Sequence, residues 1–271
     1  MIQNYTIWVE NKAYPVVVSD EQEALLAAKA AGRVFVGLYT ENPAGETLWD
    51  AEYLATPDAI CPKYLERIVR RHIGLPWLIA KTDRLIIREF TPDDIPQMPE
   101  EPDAWYTKEE RTADQVFYDK DKLEAYIKSQ YRFYEYGIWA VVRKADGVIV
   151  GKAGVTNLEE SEHSEFENKT MLPDESAEYL ELGYHIFRPY RRQGYAEEAC
   201  RAILDYAKEE LACPVCAQVA KENTASIRLL EKLGVVYYKN KDSKRSERIR
   251  RMGGCGDEHF VNRTGTRPGD W

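Results

Sequence analysis

The stretch FRPYRRQGYAEEA, residues 187–199, decides the fold because it connects two regular elements through a short basic loop. The residues before it, YLELGYHIF, have the apolar alternation of a strand, and the residues after it predict a helix over 194–210. Two arginines and a glutamine stand directly before Gly194 in this loop. A solvated turn needs no such charge, so the loop indicates a ligand site.

A helix that begins beside Gly194 offers a binding site for phosphate groups. The first backbone N–H groups of a helix have no partner within it and lie at the positive end of the helix dipole. Gly194 allows a tight turn and a close approach to a ligand, and Ala196 keeps the first turn small. Arg191 and Arg192 add positive charge. The loop therefore predicts a pyrophosphate cradle.

The composition sets wide bounds on the class of protein. The 271 residues are enough for two domains, and the net charge of −9 argues against nucleic acid as the main partner. No apolar run has the length of a membrane span, and MIQNYTIWVE lacks an apolar signal segment, so we expect no membrane partner. Five cysteines, an odd number, favour a reduced cytoplasm as the location.

Residues 1–80 form the first of three segments that the sequence pattern separates. Short strands, a helix capped by Ser19 or Asp20, the apolar strand RVFVGLY and a second helix from Pro62 to Gly74 predict a small α/β domain. This segment contains no phosphate loop, metal cluster or nucleophile motif.

Residues 81–240 form the second segment. It opens with the strand RLIIREF and continues with helices, predicted over 103–135, that carry many aromatic residues. A hairpin turns at Asp146-Gly147, and the basic loop and its helix are followed by the strand PVCAQVA, the helix TASIRLLEKLG and the strand VVYYK. Residues 241–271 form a basic, glycine-rich tail.

This order of elements resembles the GNAT superfamily of N-acyltransferases. R-x-x-G-x-A between a strand and a helix is similar to that family's loop for the pyrophosphate of acyl-CoA, and ENTASIRLLEKLGV resembles its next helix. RLIIREFTPDD resembles the opening elements of the branch that acetylates the N-termini of ribosomal proteins. The resemblance covers residues 82–240 and implies a GNAT-like α/β fold, a mixed twisted sheet flanked by helices, preceded by the small α/β domain.

The resemblance also implies acetyl-CoA as acetyl donor, no metal, and a set of binding residues. The backbone of Tyr184, His185 and Ile186 is expected to pair with the pantetheine arm, and Asn223 to bind that arm from the next helix. Two neighbouring strands are expected to separate here, with the acetyl thioester between them. The residues expected to hold the pyrophosphate are Arg191, Arg192, Gln193, Gly194, Tyr195 and Ala196.

Glu181 is the candidate proton acceptor. Transfer of an acetyl group to an amine needs an uncharged amine beside the thioester carbon and a group that takes its proton. Glu181 lies on the strand YLELGYHIF, and strand alternation places Leu180, Leu182 and Tyr184 on the opposite face. A carboxylate there acts directly or through water. The alternative is a strand glutamate that faces solvent or pairs with an arginine.

Two departures from the family pattern affect the expected site. Many relatives carry a tyrosine that returns a proton to the departing thiolate where this chain has Leu230, so Tyr237, Tyr238 and solvent are the alternatives for the general acid. The family also has a further antiparallel strand after VVYYK, whereas residues 241–271 contain few apolar residues. The acceptor pocket is therefore open, or it is completed by the N-terminal domain or by a second subunit.

Two further signals have ordinary structural interpretations. CPVC, from Cys213 to Cys216, has the spacing of a redox motif or of half a zinc site, but it has no second pair and leads into a buried strand, so we prefer core packing. Aromatic residues at helical spacing usually lie in the core. Trp105, Tyr106 and Trp139 are kept as candidates for the acceptor pocket.

The sequence thus predicts an acetyl-CoA-dependent N-acetyltransferase that moves an acetyl group to a primary amine by direct attack in a ternary complex. The expected acceptor is an amine-bearing small molecule or a protein N-terminus. One alternative is a regulatory module that binds acyl-CoA without turnover, and another is a redox protein built on CPVC. We expect residues 1–80 to cover the acceptor site or to form a homodimer.

Overall fold

The computed structural model describes residues 1–39, 51, 53–99, 114–158, 177–220 and 222–240. These residues form two compact units. The first unit consists of Met1–Trp77 together with Arg132–Tyr134, and the second begins at Leu78 and holds the other described residues. Each unit has its own sheet.

The first unit is a four-stranded sheet with one helix on each face. Its strands are β1 (Ile2–Val9), β2 (Lys12–Ser19), β3 (Val34–Leu38) and β4 (Leu54–Ala55), in the order β1-β2-β3-β4. β1 and β2 form an antiparallel hairpin, whereas β2, β3 and β4 are parallel. Its helices are α1 (Gln22–Ala30), which connects β2 to β3, and α2 (Pro62–His72).

Strand alternation explains these two layers. Val17 and Phe35 pack against α1, while the neighbouring residues of β2 and β3 point to the opposite face and pack against α2. Pro62 opens α2 as predicted. The start of α1 differs from the prediction, because Glu21 is the N-cap residue and its side chain makes no capping bond. Ser19 ends β2 instead, and its hydroxyl accepts a 3.0 Å hydrogen bond from the N–H of Glu21.

The second unit contains a seven-stranded mixed sheet. Its strands are β5 (Leu78–Lys81), β6 (Leu85–Arg88), β7 (Ile138–Arg143), β8 (Ile149–Asn157), β9 (Leu180–Ile186), β10 (Val215–Ala220) and β11 (Val236–Asn240). The order is β11-β10-β9-β8-β7-β6-β5. Neighbours are antiparallel from β5 to β9 and parallel from β9 to β11. The predicted turn at Asp146-Gly147 joins β7 to β8, and φ of Gly147 is +73°.

Helices lie on both faces of this sheet. They are the 3-10 helices Pro92–Gln97 and Gln115–Tyr118, α3 (Lys120–Tyr126) with its π-helical continuation Ile127–Tyr134, of which the last three residues belong to the first unit, α4 (Tyr195–Tyr206) with the π-helical turn Ala207–Leu211, and α5 (Thr224–Leu233). The crossovers β9-α4-β10 and β10-α5-β11 advance in the same direction, so the right-handed rule places α4 and α5 on one face. Phe117 and Leu123 pack against the other face.

The mixed α/β architecture agrees with the predicted fold class, since a small α/β unit precedes a larger mixed sheet. The sequence analysis did not identify β4 and β5, which are two and four residues long. β11 pairs directly with β10, with Val236 opposite Cys216, which leaves no place between them for a further strand. The predicted tail 241–271, the part 103–113 of the helices predicted over 103–135 and the residues Trp105 and Tyr106 lie outside the described residues.

Candidate functional site

Strands β9 and β10 are paired only where they begin. Leu180 lies opposite Val215 and Glu181 lies opposite Cys216, and these two rungs are the whole pairing between the two strands, which are described throughout. Beyond them, β10 pairs only with β11 and β9 only with β8. The gap that opens beyond these rungs, between the C-terminal parts of β9 and β10, is called the fork below. The predicted separation of two neighbouring strands is therefore present.

The basic loop lies where β9 leads into α4. φ is +60° at Arg192 and +81° at Gly194, so the backbone is left-handed at both residues. Glycine adopts this conformation at little cost, whereas arginine does so with strain. The first hydrogen bond of α4 runs from the N–H of Glu198 to the carbonyl oxygen of Gly194. The N–H groups of residues 195–197 therefore lie at the helix start without an intrahelical partner.

Arg84 and Glu198, called the brace below, fix this loop. Nε of Arg84 donates to Oε2 of Glu198 at 2.7 Å, and Nη1 of Arg84 donates to the carbonyl oxygen of Gln193 at 2.9 Å. The guanidinium carbon of Arg84 lies 4.7 Å from the centroid of the buried Tyr195 ring. Thr82 Oγ1 donates to Oε1 of the same carboxylate at 2.6 Å. The loop is thus held by the residues just before β6 as well as by α4.

Hydrogen bonding keeps the brace carboxylate ionised. Burial raises the pKa of Glu198, but hydrogen bonds from Thr82 and Arg84 lower it by more, so the pKa lies below its ordinary value. The brace was not predicted from the sequence, because Arg84 and Glu198 are 114 positions apart and no local pattern connects them. The only sequence signal was an arginine directly before the strand LIIR.

The predicted loop arginines have different surroundings. Nε of Arg191 donates to the carbonyl oxygen of Ile186 at 2.7 Å, and its Nη2 lies 3.4 Å from Nε2 of His185. Arg191 thus holds the end of β9 and occupies one of the backbone oxygens that the resemblance assigned to the pantetheine arm. Arg192 and Gln193 are exposed beside the start of α4.

Tyr184 lies in the fork on the face of α4 and α5. Its side chain is close to the thiol of Cys200 on α4 and to the hydroxyl of Ser226 on α5. The Tyr184 hydroxyl is buried, and no hydrogen bond of good geometry reaches it from the described part of the chain. Burial raises the pKa of Tyr184 to about 12, although the Ser226 hydroxyl acts in the opposite direction. The phenol therefore stays protonated at neutral pH.

Glu181 lies at the closed end of the fork, on the opposite face from Tyr184. Its register partners are Thr156 on β8 and Cys216 on β10, and it is 9% exposed. The Cys216 thiol is buried, and its pKa is raised to about 12, first by burial and second by the negative charge of Glu181. The carboxylate therefore lies near the last rung before the strands separate, and the predicted alternation of β9 is confirmed.

A buried cation that the sequence analysis missed lies on the face of Glu181. Lys152 on β8 is 4% exposed and is the register partner of His185 on β9. Its Nζ lies 2.5 Å from Oδ1 of Asp114 and 4.8 Å from the centroid of the Phe117 ring. This face of the fork thus carries both a carboxylate and an ion pair. A lysine inside the apolar strand IVGKAGV was the available signal.

Asn223 caps the helix that follows β10. Its Oδ1 accepts a 3.1 Å hydrogen bond from the N–H of Ser226, which satisfies one of the free donors at the start of α5. Asn223 is exposed at the open end of the fork. Its side-chain amide N–H₂ group is the part that is suited to a cofactor arm.

Two other candidates lie away from the fork. Trp139 is fully buried, and its ring packs edge-on against Tyr206 of α4 with the centroids 5.5 Å apart. It therefore belongs to the core and does not line an acceptor pocket. The Tyr237 hydroxyl donates to Oε1 of Glu231 at 2.9 Å on the exposed surface of α5, so it is not directed at the fork. The side chain of Tyr238 lies outside the described residues.

Cys213 and Cys216 are not joined by a disulfide in the described structure, and Cys216 lies in the core. In the part of the chain that the structure describes, no group of three or more His, Cys, Asp or Glu side chains is arranged to hold a metal ion. No helix in that part is long and apolar enough to cross a membrane.

A comparison with models of known protein families identifies the family of this chain. A family model described as "Acetyltransferase (GNAT) domain" matches residues 84–236, which is more than half of the chain. The chain belongs to the GNAT acetyltransferases. The match begins at the brace arginine and includes the basic loop and both sides of the fork. It confirms the family and the GNAT-like fold class that the sequence predicted.

Individual relatives of this GNAT protein cover only part of it. The uncharacterized protein YkkB of Bacillus subtilis (strain 168) is 33% identical over 107 residues, which are 39% of this chain and 54% of YkkB. The chain therefore spans about half the length of the curated relative it matches. An acetyltransferase structure from Agrobacterium tumefaciens is 21% identical with a TM-score of 0.41, and the match covers 57% of this chain and 81% of that one. A GNAT-family acetyltransferase structure from Bacillus anthracis is 22% identical with a TM-score of 0.38, covering 58% and 82%.

Proposed function

We propose that this GNAT protein transfers an acetyl group from acetyl-CoA to a primary amine by direct attack in a ternary complex. The observation that carries the proposal is the fork, because the pairing of β9 and β10 ends at Glu181 and Cys216 and the same strand β9 then leads into an anion-binding helix start. A parallel pair that stayed closed would leave no room for a thioester arm between its strands.

The residues of the site fit acetyl-CoA. The N–H groups at the start of α4 and the exposed Arg192 are suited to phosphate oxygens, and the edge of β9 in the fork presents backbone groups to a pantetheine arm. The brace holds Gln193 and Tyr195 in place without a ligand, so little ordering is needed on binding. When bound, acetyl-CoA supplies an acetyl group that is activated as a thioester.

Glu181 is the residue that we assign to the amine proton. Its carboxylate lies at the closed end of the fork, where an amine that entered from the face of Lys152 would meet it. Low exposure limits competition from water for the amine proton. Backbone N–H groups at the separating strands are suited to stabilise negative charge that develops on the acetyl oxygen.

The acceptor is proposed to be a small-molecule amine or a protein N-terminus. The experiment is to follow release of the CoA thiol from acetyl-CoA with a peptide that has a free N-terminus, a polyamine, an amino acid and an aminoglycoside. Turnover with one of them supports the proposal. CoA binding without turnover in any case would favour the regulatory module, and loss of function in Cys213→Ser would favour the redox alternative.

Glu181→Gln tests the assigned base. The variant should lower kcat/KM by about 100-fold or more, because a positioned proton acceptor contributes that much, while CoA affinity stays unchanged. The wild-type rate should fall as the carboxylate is protonated at low pH, and the variant should lose this dependence. Glu178→Gln, at an exposed position just before β9, is the matched control. An unaltered rate and pH profile in Glu181→Gln would exclude the role.

A further inference from the structure

The fork contains a protonated phenol that the proposed function does not yet use. Transfer to an amine releases sulfur as a thiolate, which needs a proton, and Leu230 stands where many relatives have a tyrosine. We propose that the hydroxyl of Tyr184 donates this proton. The inference rests on the proposed function and gives the reaction its general acid.

The position of Tyr184 supports this role. Tyr184 lies on β9 beyond the last rung with β10, and its side chain reaches the first turn of α5, the helix that follows β10. The side chain therefore spans the fork from one strand to the other strand's helix. An arm that enters between β9 and β10 on this face would therefore lie close to the Tyr184 hydroxyl.

Helix geometry relates this hydroxyl to the missing tyrosine. Ser226, the α5 residue beside the Tyr184 hydroxyl, lies four positions before Leu230, so both residues lie on one face of α5, one turn apart. Leu230 is 1% exposed. A tyrosine at position 230 would lie on this face of α5. The phenol of Tyr184 lies against the same face, but it comes from β9.

The two proton-transfer groups lie on opposite faces of the sheet. Glu181 and Tyr184 are an odd number of positions apart on β9, so the amine enters on one face and the sulfur leaves on the other. The amine nitrogen forms the bond to the acetyl carbon, and the carbon–sulfur bond breaks with its electron pair on sulfur. Glu181 takes one proton from the amine, and Tyr184 gives one to sulfur. Both groups return to their starting states by proton exchange with water.

The surroundings keep the phenol available. Burial holds the hydroxyl in its protonated form, and Cys200 on α4, the titratable group that acts on it, is itself neutral because burial raises the pKa of that thiol to about 12. No anion therefore competes for the Tyr184 proton at this point. The Tyr184 hydroxyl lies beside the Ser226 hydroxyl without a hydrogen bond of good geometry, so turning towards sulfur costs little.

The test uses the thiol of bound CoA and needs no acceptor amine. Calorimetry first establishes that the wild type binds CoA. The pKa of the bound thiol is then measured from the ultraviolet absorbance of the thiolate, as the difference between the complexes with CoA and with desulfo-CoA. Tyr184→Phe should raise the pKa of the bound thiol by about one to two units, because a hydrogen bond to the thiolate is lost. CoA affinity at neutral pH should change by less than about threefold, since a neutral thiol gains little from that bond.

Controls separate the possible outcomes. Tyr206→Phe removes a hydroxyl from the same face of the core outside the fork and should leave the thiol pKa unchanged. Absence of CoA binding by the wild type would refute the proposed function itself. CoA binding with an unchanged thiol pKa in Tyr184→Phe would refute only the role of Tyr184, and so would a large loss of CoA affinity in a folded variant.

An isosteric replacement covers the case in which Tyr184→Phe does not fold. Incorporation of 3-fluorotyrosine at position 184 keeps the shape of the side chain and makes the phenol more acidic. The bound thiol should then titrate at lower pH than in the wild type. A thiol pKa that did not respond would exclude a hydrogen bond between the two groups.

Discussion

Two strand–helix–strand crossovers, one from each unit, differ at one decisive place. In the first unit, β2 and β3 flank α1 and stay paired at four rungs, from Val16 with Val34 to Ser19 with Gly37. In the second unit, β9 and β10 flank α4 and separate after two rungs. The same topology thus gives a closed ladder in one unit and an open fork in the other. The crossover alone does not make a site.

The two helix starts differ as well. Asp20 and Glu21 precede α1, and the N-terminal ammonium of Met1 pairs with both, at 3.0 Å from Oε1 of Glu21, so the chain's own charges occupy this helix start. The two carboxylates in the first turn of α4 are paired with cations of other elements. Glu198 belongs to the brace with Arg84, and Glu197 accepts a 2.6 Å hydrogen bond from Lys232. The start of α4 is therefore left with positive charge, which is what an anionic ligand requires.

The largest effect should come from filling the helix start of α4. A Cβ at Gly194 would lie 3.2 Å from Nη2 of Arg84, so Gly194→Trp places an indole in the loop and should reduce affinity for acetyl-CoA and CoA by at least about 100-fold. Gly32→Trp, after α1, is the matched control, because φ is +63° there and its Cβ would meet nothing within 4 Å. Calorimetric titration measures both. Equal binding by the Gly194 variant and the wild type would show that the loop is not the phosphate site.

A smaller effect should follow from removing the brace. Arg84→Met leaves the loop sequence intact but removes the contacts to Glu198 and Gln193, so CoA affinity should fall about tenfold through loss of preorganisation. Arg70→Met removes an arginine that pairs with Glu66 at 2.9 Å in the first unit and should leave CoA affinity unchanged.

The same variant has a pH signature. The pKa of Glu198 is lowered in the folded protein, so its interactions stabilise the fold above the ordinary pKa of a glutamate and are lost as the pH falls through the lowered value. In Arg84→Met the pKa of Glu198 should rise towards its ordinary value, so Glu198 contributes less stability at neutral pH and less stability should be lost on acidification. Melting temperatures measured against pH would detect this, and identical profiles would show that the brace carries no charge-dependent stability.

Local patterns made the fold and the loop predictable. The strand parity of β9, the turn at Asp146-Gly147 and the glycine at the start of α4 are each fixed by residues within a few positions of one another. Such patterns depend on backbone conformation, which the sequence determines locally. The strand β4 was not predicted, because two residues are too few to show an alternation of apolar and polar side chains.

Contacts between distant elements were not predictable in this way. The brace joins the residue just before β6 to α4, and the pair Lys152–Asp114 joins β8 to the segment before α3. The sequence predicted a role for the backbone of Tyr184, whereas in the structure its side chain lies in the fork. Alternation shows that Tyr184 and Glu181 face opposite ways, but only the packed sheet shows that one of these faces meets Ser226.

The smallest expected effect concerns β1, the strand at the outer edge of the first unit's sheet. β1 is an edge strand of the described sheet, it contains no charged residue, and Ile2 and Trp8 are 50% and 68% exposed on it. A long uncharged edge is prone to pair with another strand, and we propose that two copies of the chain pair there as a homodimer. Thr6→Lys should then raise the dissociation constant of the dimer by up to about fivefold, because like charges would lie close together across the two-fold axis.

Light scattering over a dilution series measures this equilibrium. Leu26→Lys adds the same charge at a 43% exposed position on α1 and should leave the dimer unchanged. A wild type that stays monomeric at all concentrations would refute pairing through β1. A dimer that Thr6→Lys does not weaken would place the interface elsewhere. Acetyl transfer measured on the same samples would show whether the monomer is active. Because the fork is formed by β9 and β10 of one chain, we expect dilution to change the assembly without abolishing CoA binding.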